Sequence, residues 1–190
     1  MEHDRWKRLH RLANGEFDFR IRQILPEWWV ASTPCDEWDV AELVNHNVAE
    51  SMWVSPLLAG MRVEDVGGLD GDVLGDDPLQ TWEDARATAL TAVDDADLSG
   101  EVQLSAGPTP AFEYVRQRVL DLAVHSWDLA VAIGVDDELD AELVSALDEY
   151  VRPFASRLAE LPEYFEPAIL AEPDAVTQTR LLNLLGRRVD

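Results

Sequence analysis

Residues 109–134 read TPAFEYVRQRVLDLAVHSWDLAVAIG and form the longest uninterrupted helical pattern in the chain. Thr109 and Pro110 supply a start signal, because a proline in the first turn gives up no needed amide and its fixed φ suits a helix. Gly134 supplies the stop, since glycine adopts the left-handed conformation that closes helices. The pattern therefore predicts a helix over 111–133. Inside it Asp121 and His125 stand four residues apart, which puts both side chains on one face. A carboxylate and an imidazole so placed can converge on one ion or simply share a hydrogen bond. Spacing alone leaves both readings open.

On the N-terminal side, residues 3–25 carry Trp6, Leu9, Leu12, Phe17, Ile21, Ile24 and Leu25 at helical spacing, weakened around Asn14 and Gly15 and ended by Pro26. The segment PEWWVASTPCDEW, residues 26–38, reads as a connection with aromatic anchors. Asp39 followed by Glu42 has the form of a capping box, in which each side chain satisfies the other residue's backbone amide. A second helix should run from there to about Gly60, with Val40, Leu43, Val44, Val48, Met52, Trp53 and Leu57 as its apolar face and Pro56 bending or shortening its end. His46 lies on this helix between Val44 and Val48, where a packed neighbour could bring it within coordination distance of other ligands.

Residues 61–77, MRVEDVGGLDGDVLGDD, read as an acidic loop without the calcium-loop spacing of an EF-hand. Asp77 and Pro78 open a third helix ending near Ala96, and residues 97–108 form the next connection. Beyond Gly134 the pattern predicts a helix from about Asp140 to Leu161, broken at Pro153, and a short last helix capped by Asp174 and ending at Gly186. Strand-like alternation is confined to short pieces such as 101–105. The expected fold is all-α: four long helices with extra short ones in a helix bundle, as a single domain over 1–190.

Composition narrows the function. At 190 residues the chain can bury a core without disulfides or a structural metal. Its 38 acidic against 15 basic residues, a formal charge of −23, repel nucleic acid and anionic membranes. The single cysteine, Cys35, excludes an internal disulfide, and no apolar run suits a signal peptide or a membrane span. A cytoplasmic protein with no nucleic-acid and no membrane partner is the expectation.

Three blocks carry a family resemblance: TPCDEWDVAELVNHNV (33–48), VLDLAVHSWDLAVAIG (119–134) and EPDAVTQTRLLNLLGR (172–187). In this order they resemble an actinobacterial family related to mycothiol-dependent maleylpyruvate isomerase, within the DinB-like superfamily. The resemblance implies a DinB-like four-helix bundle holding a divalent metal through one histidine on the second helix and a carboxylate-x-x-x-histidine pair on a later one. Those positions are His46, Asp121 and His125. Many DinB-like proteins have histidine at the carboxylate position, and the isomerase has glutamate, one methylene longer than Asp121. Two imidazoles and a carboxylate suit zinc first, with iron or nickel as alternatives.

The resemblance further implies that the metal binds and activates the thiol of mycothiol or another low-molecular-weight thiol, the nucleophile toward an electrophilic small-molecule substrate. Isomerisation and S-transfer both stay open. The isomerase carries an additional C-terminal domain that helps complete its site, whereas this sequence ends at Asp190, which turns the expectation away from isomerisation itself. A non-catalytic metal-binding or ligand-sensing helical bundle is the alternative, and Glu42 or Glu50, one turn from His46, would then close the coordination shell. DinB-like bundles often pair through their helices, so a homodimer is one expected assembly.

Other residues are expected to be structural. Cys35 reads as a packed thiol with no base nearby, and Trp28, Trp29, Trp38, Trp53, Trp82 and Trp127 as core. Arg116 and Arg118 read as surface or salt-bridge residues, and His3 and His10 as solvent-exposed. Asp128 could orient His125.

Overall fold

The structure is a computed structural model, and it describes residues 1–35, 38–155 and 167–189. These form two compact units, Met1–Asp136 and Asp137–Asp190. The first contains α1 (Glu2–Ile21), α2 (Val40–Leu58), α3 (Pro78–Asp95), the strands β1 (Glu101–Leu104) and β2 (Gly107–Pro110), and α4 (Ala111–Ile133). The second contains α5 (Ala141–Val151) and α6 (Thr177–Leu184).

Local chemistry accounts for most helix ends. Asp39 accepts the Glu42 amide at 3.0 Å while Glu42 accepts the Asp39 amide at 2.9 Å, so the capping box before α2 forms as expected. Asp77 caps α3 and Pro78 is its first residue; Gly134 closes α4 at φ 67°, a conformation that costs a side-chain-bearing residue about 1 kcal/mol. Three expectations need correction. α1 ends at Ile21 instead of Leu25, leaving Arg22 to Leu25 to turn ahead of Pro26. The cap of α4 is Pro110 and not Thr109, whose hydroxyl turns back toward the Gly107 carbonyl. The cap of α6 is Val176, and Asp174 lies outside it. α5 is capped by Asp140 and passes into a 3-10 turn over Arg152–Phe154; the expected continuation to Leu161 lies outside the described residues.

The chain is mostly helical, as expected, with a small antiparallel hairpin in addition. β1 and β2 pair in the register Glu101 with Pro110 through Leu104 with Gly107. Two prolines and a glycine in β2 hide it from a propensity reading, yet prolines are tolerated where a strand has a free edge. Val102, fully buried, pins the hairpin to the helices, and the Ala111 amide donates to the Gly100 carbonyl where α4 begins.

Within the first unit α1 packs on α4 and α2 packs on α3, with further contacts from α2 to α4 and from α1 to α3. Trp6, Leu9 and Phe17 of α1, Leu43 and Val44 of α2, Trp82 of α3 and Val115, Val119 and Leu122 of α4 are at most 2% exposed, and a fully buried side chain of this kind contributes roughly 1.5–3 kcal/mol. Polar ties set the α1–α3 register. Lys7, the one lysine of the sequence, donates from Nζ to the Asp94 and Ala96 carbonyls at the end of α3 (2.9 and 2.7 Å), and the Trp82 indole donates to Asp18 at 3.1 Å. No described helix is long and apolar enough to cross a membrane.

In the second unit α5 packs on α6, and Gln178 joins them to the preceding loop by donating to the Asp137 carbonyl and accepting the Leu139 amide, each at 2.9 Å.

Candidate metal centre

His46, Asp121 and His125 meet where α2 packs on α4. Their ligand atoms lie within 4.8 Å of one another. His46 Nε2 is 3.4 Å from the Asp121 carboxylate and His125 Nε2 is 3.3 Å from it, while the two imidazole rings stand edge to face with centroids 5.1 Å apart. The one-turn spacing on α4 brings Asp121 and His125 together, and the α2–α4 packing delivers His46. Among the described residues no fourth histidine, cysteine, aspartate or glutamate joins this trio.

The two candidates for a closing ligand are engaged elsewhere. Glu42 is held in the capping box, and Glu50 accepts from Arg118 Nη1 at 3.2 Å. The same Arg118 nitrogen donates to Asp121 Oδ2 at 2.7 Å. Arg118 is therefore a salt-bridge residue as expected, but a buried one at 4% exposure. Burial alone would raise the Asp121 carboxyl; the charges of His125 and Arg118 and hydrogen bonds from both histidines outweigh it and hold the group well below its ordinary value.

Behind His125 sits a second layer. Asp128, fully buried, lies 3.0 Å from His125 Nδ1, which leaves Nε2 facing Asp121 and His46. The Cys35 thiol donates to the same Asp128 oxygen at 3.3 Å and lies 3.8 Å from His125 Nδ1. The expectation that no base lies near Cys35 is thus corrected; only the folded chain brings residues ninety positions apart together, and no local signal announces it. Burial alone would push the His125 imidazole down, but the Asp121 charge, then hydrogen bonds to the Asp121 and Asp128 carboxylates and with Cys35, raise it well above its ordinary value.

A cavity of about 700 Å³ opens beside His46. Trp38 stands at its junction with the centre, its ring centroid 4.6 Å from that of His46 and 5.5 Å from that of His125. Trp29 and Trp53 line the cavity too, so these three tryptophans are not core, whereas Trp82 and Trp127 are. His10 departs from expectation as well: it is buried, and His3 is half-buried against Phe112. Arg116 lies over the rings of Trp6 and Phe112.

Several known proteins resemble this chain. Two uncharacterized proteins of Mycobacterium tuberculosis, from strains CDC 1551 / Oshkosh and H37Rv, are each 28% identical over 136 residues, covering 70% of this chain and 70% of the relative. The crystal structure of the mycothiol-dependent maleylpyruvate isomerase superposes with a TM-score of 0.62 at 15% identity, covering 82% of this chain and 72% of that one. A mutant of that isomerase gives 0.61 at 14% with the same coverage, and at these identities the likeness speaks for the fold. The family profile of the mycothiol maleylpyruvate isomerase N-terminal domain matches residues 10–130, and the chain belongs to that family.

Proposed function

We propose that the chain binds one divalent metal ion, zinc in the first instance, through His46 Nε2, Asp121 and His125 Nε2. It then acts as a small-thiol enzyme, isomerase-like or S-transferase-like, in a DinB-like four-helix bundle. The observation that carries this reading is the trio without a fourth protein ligand among the described residues, with Glu42 and Glu50 both engaged elsewhere. Structural zinc sites are closed by four protein ligands, whereas catalytic ones keep a position for water or substrate. The donor set fits the ion: two imidazole nitrogens and a carboxylate are the mixture zinc accepts.

When bound, the metal would lower the pKa of a coordinated thiol so that thiolate persists near neutral pH. The protein's own residues do the rest. Asp128 accepts from His125 Nδ1 and fixes which ring nitrogen faces the ion. Arg118 holds one Asp121 oxygen and so orients the other. Trp38 covers the two imidazoles and limits water there, while the neighbouring cavity gives a thiol cofactor and its electrophile room to approach. A reducing cytoplasm keeps such a thiol available.

Metal content by inductively coupled plasma mass spectrometry, on protein purified without an affinity tag, tests the reading. The expected result is about one zinc, iron or nickel per chain, lost in both His46→Ala and His125→Ala. Wild-type protein that stays metal-free after incubation with each ion overturns it.

A further inference from the structure

The cavity beside His46 has an unusual lining. Glu42, Glu50, Asp70 and Asp72 line it, and among the described residues no lysine or arginine does. Arg118 pairs with Glu50 from its buried position in the core and is not part of the wall. Trp29, Trp38 and Trp53, all half-buried, add aromatic surface. The acidic loop is held over this wall by Asn45, one position before His46. Its amide donates to the Gly71 carbonyl at 3.0 Å, and its oxygen accepts the Val73 amide at 2.8 Å. The backbone on either side of Asp72 is therefore tied to α2 by a side chain adjacent to the candidate centre.

Carboxylates lining a concave surface focus a negative potential into it, which raises the local concentration of cations and lowers that of anions. Tryptophan faces attract the same cations through their quadrupoles and pack against flat apolar groups. We infer that this cavity takes an organic cation with an aromatic or apolar face, and that it rejects dicarboxylates of the kind after which the family is named. As a statement about the electrophile of the reaction, the inference rests on the proposed function. As a statement about binding, it stands on the cavity alone.

Size-matched probes test it: benzylammonium, benzyl alcohol and benzoate, titrated against the full chain by quenching of tryptophan fluorescence at low ionic strength. Each is run on protein as purified and after chelation. The expected affinity order is benzylammonium, benzyl alcohol, benzoate, with the cation favoured over the anion by about tenfold or more, a ratio that shrinks with added salt. Asp70→Asn with Asp72→Asn should reduce the ratio severalfold, and asparagine at 72 keeps the oxygen that accepts the Leu74 amide. A control variant, Asp95→Asn with Glu101→Gln, removes the same charge outside the cavity wall and should leave the ratio in place. Benzoate or benzyl alcohol binding as tightly as benzylammonium overturns the inference, and so does an equal loss in the control, which would assign the preference to the overall charge. Because the order is read without metal as well, its failure is distinct from failure of the metal analysis.

Discussion

His10 and His125 are both buried within the first unit, at 1% and 7% exposure, and their imidazoles are driven in opposite directions. His10 has Asn14 as its side-chain partner, the amide nitrogen 3.2 Å from Nε2, and its Nδ1 has no hydrogen-bond partner. Burial first, and then the charges of Arg118 and Arg11, push it down to about 3. His125 is desolvated too, but carboxylates flank it on both nitrogens, Asp121 at Nε2 and Asp128 at Nδ1, and it is raised. Burial alone does not set the state of a histidine; the charge of whatever is buried with it does. In this fold that difference separates a core residue from a candidate ligand.

The comparison breaks most visibly at acid pH. His10 titrates near 6.5 in the unfolded chain and near 3 in the folded one, so between those values the unfolded state binds more protons. Stability attributable to His10 is thus intact above about pH 6.5 and should fall by roughly 4 kcal/mol as pH drops toward 3, at about 1.4 kcal/mol per unit. Chemical denaturation across that range measures it, and Asn14→Asp inverts it. A carboxylate in place of the amide should lift His10 above its ordinary value, as NMR titration of the imidazole would report. A His10 that still titrates near 3 in the variant would mean that burial outweighs the partner.

The other side of the comparison is sharpened by Asp128→Asn, which keeps an acceptor behind His125 but removes its charge. Metal affinity should weaken by about 10–100-fold, measured by competition with a chromophoric chelator. The smallest effect expected is that of Cys35→Ser, at about threefold or less in the same assay, since the hydroxyl can still donate to Asp128. An effect as large as that of Asp128→Asn would make the thiol more than a neighbour.

The parts of this molecule that local chemistry determines were readable from the chain. Asp39 with Glu42, Asp77 with Pro78, and Gly134 each act within one helical turn, and each marks the end it was expected to mark. The Asp121–His125 pair was readable for the same reason. Its meeting with His46 was not derivable from spacing and entered through resemblance, because it depends on α2 packing on α4. The environments of His10 and Cys35 were misread because both follow from tertiary packing. Leu9 and Ala13 are buried on α1 alongside His10, and a histidine next to that stripe gives no sign in the sequence of which way it turns. β1 falls on the short alternating piece at 101–105, whereas β2 gives no signal because its two prolines and one glycine carry no period.

Lys7 closes α3 with its ammonium, and the sequence contains no other lysine. Reagents that seek primary amines therefore meet two targets in the whole chain, this side chain and the N-terminus. Isotopic reductive methylation would place a single side-chain reporter at the α1–α3 junction, and its resonance, distinct from that of the terminal amine, would follow the docking of those helices.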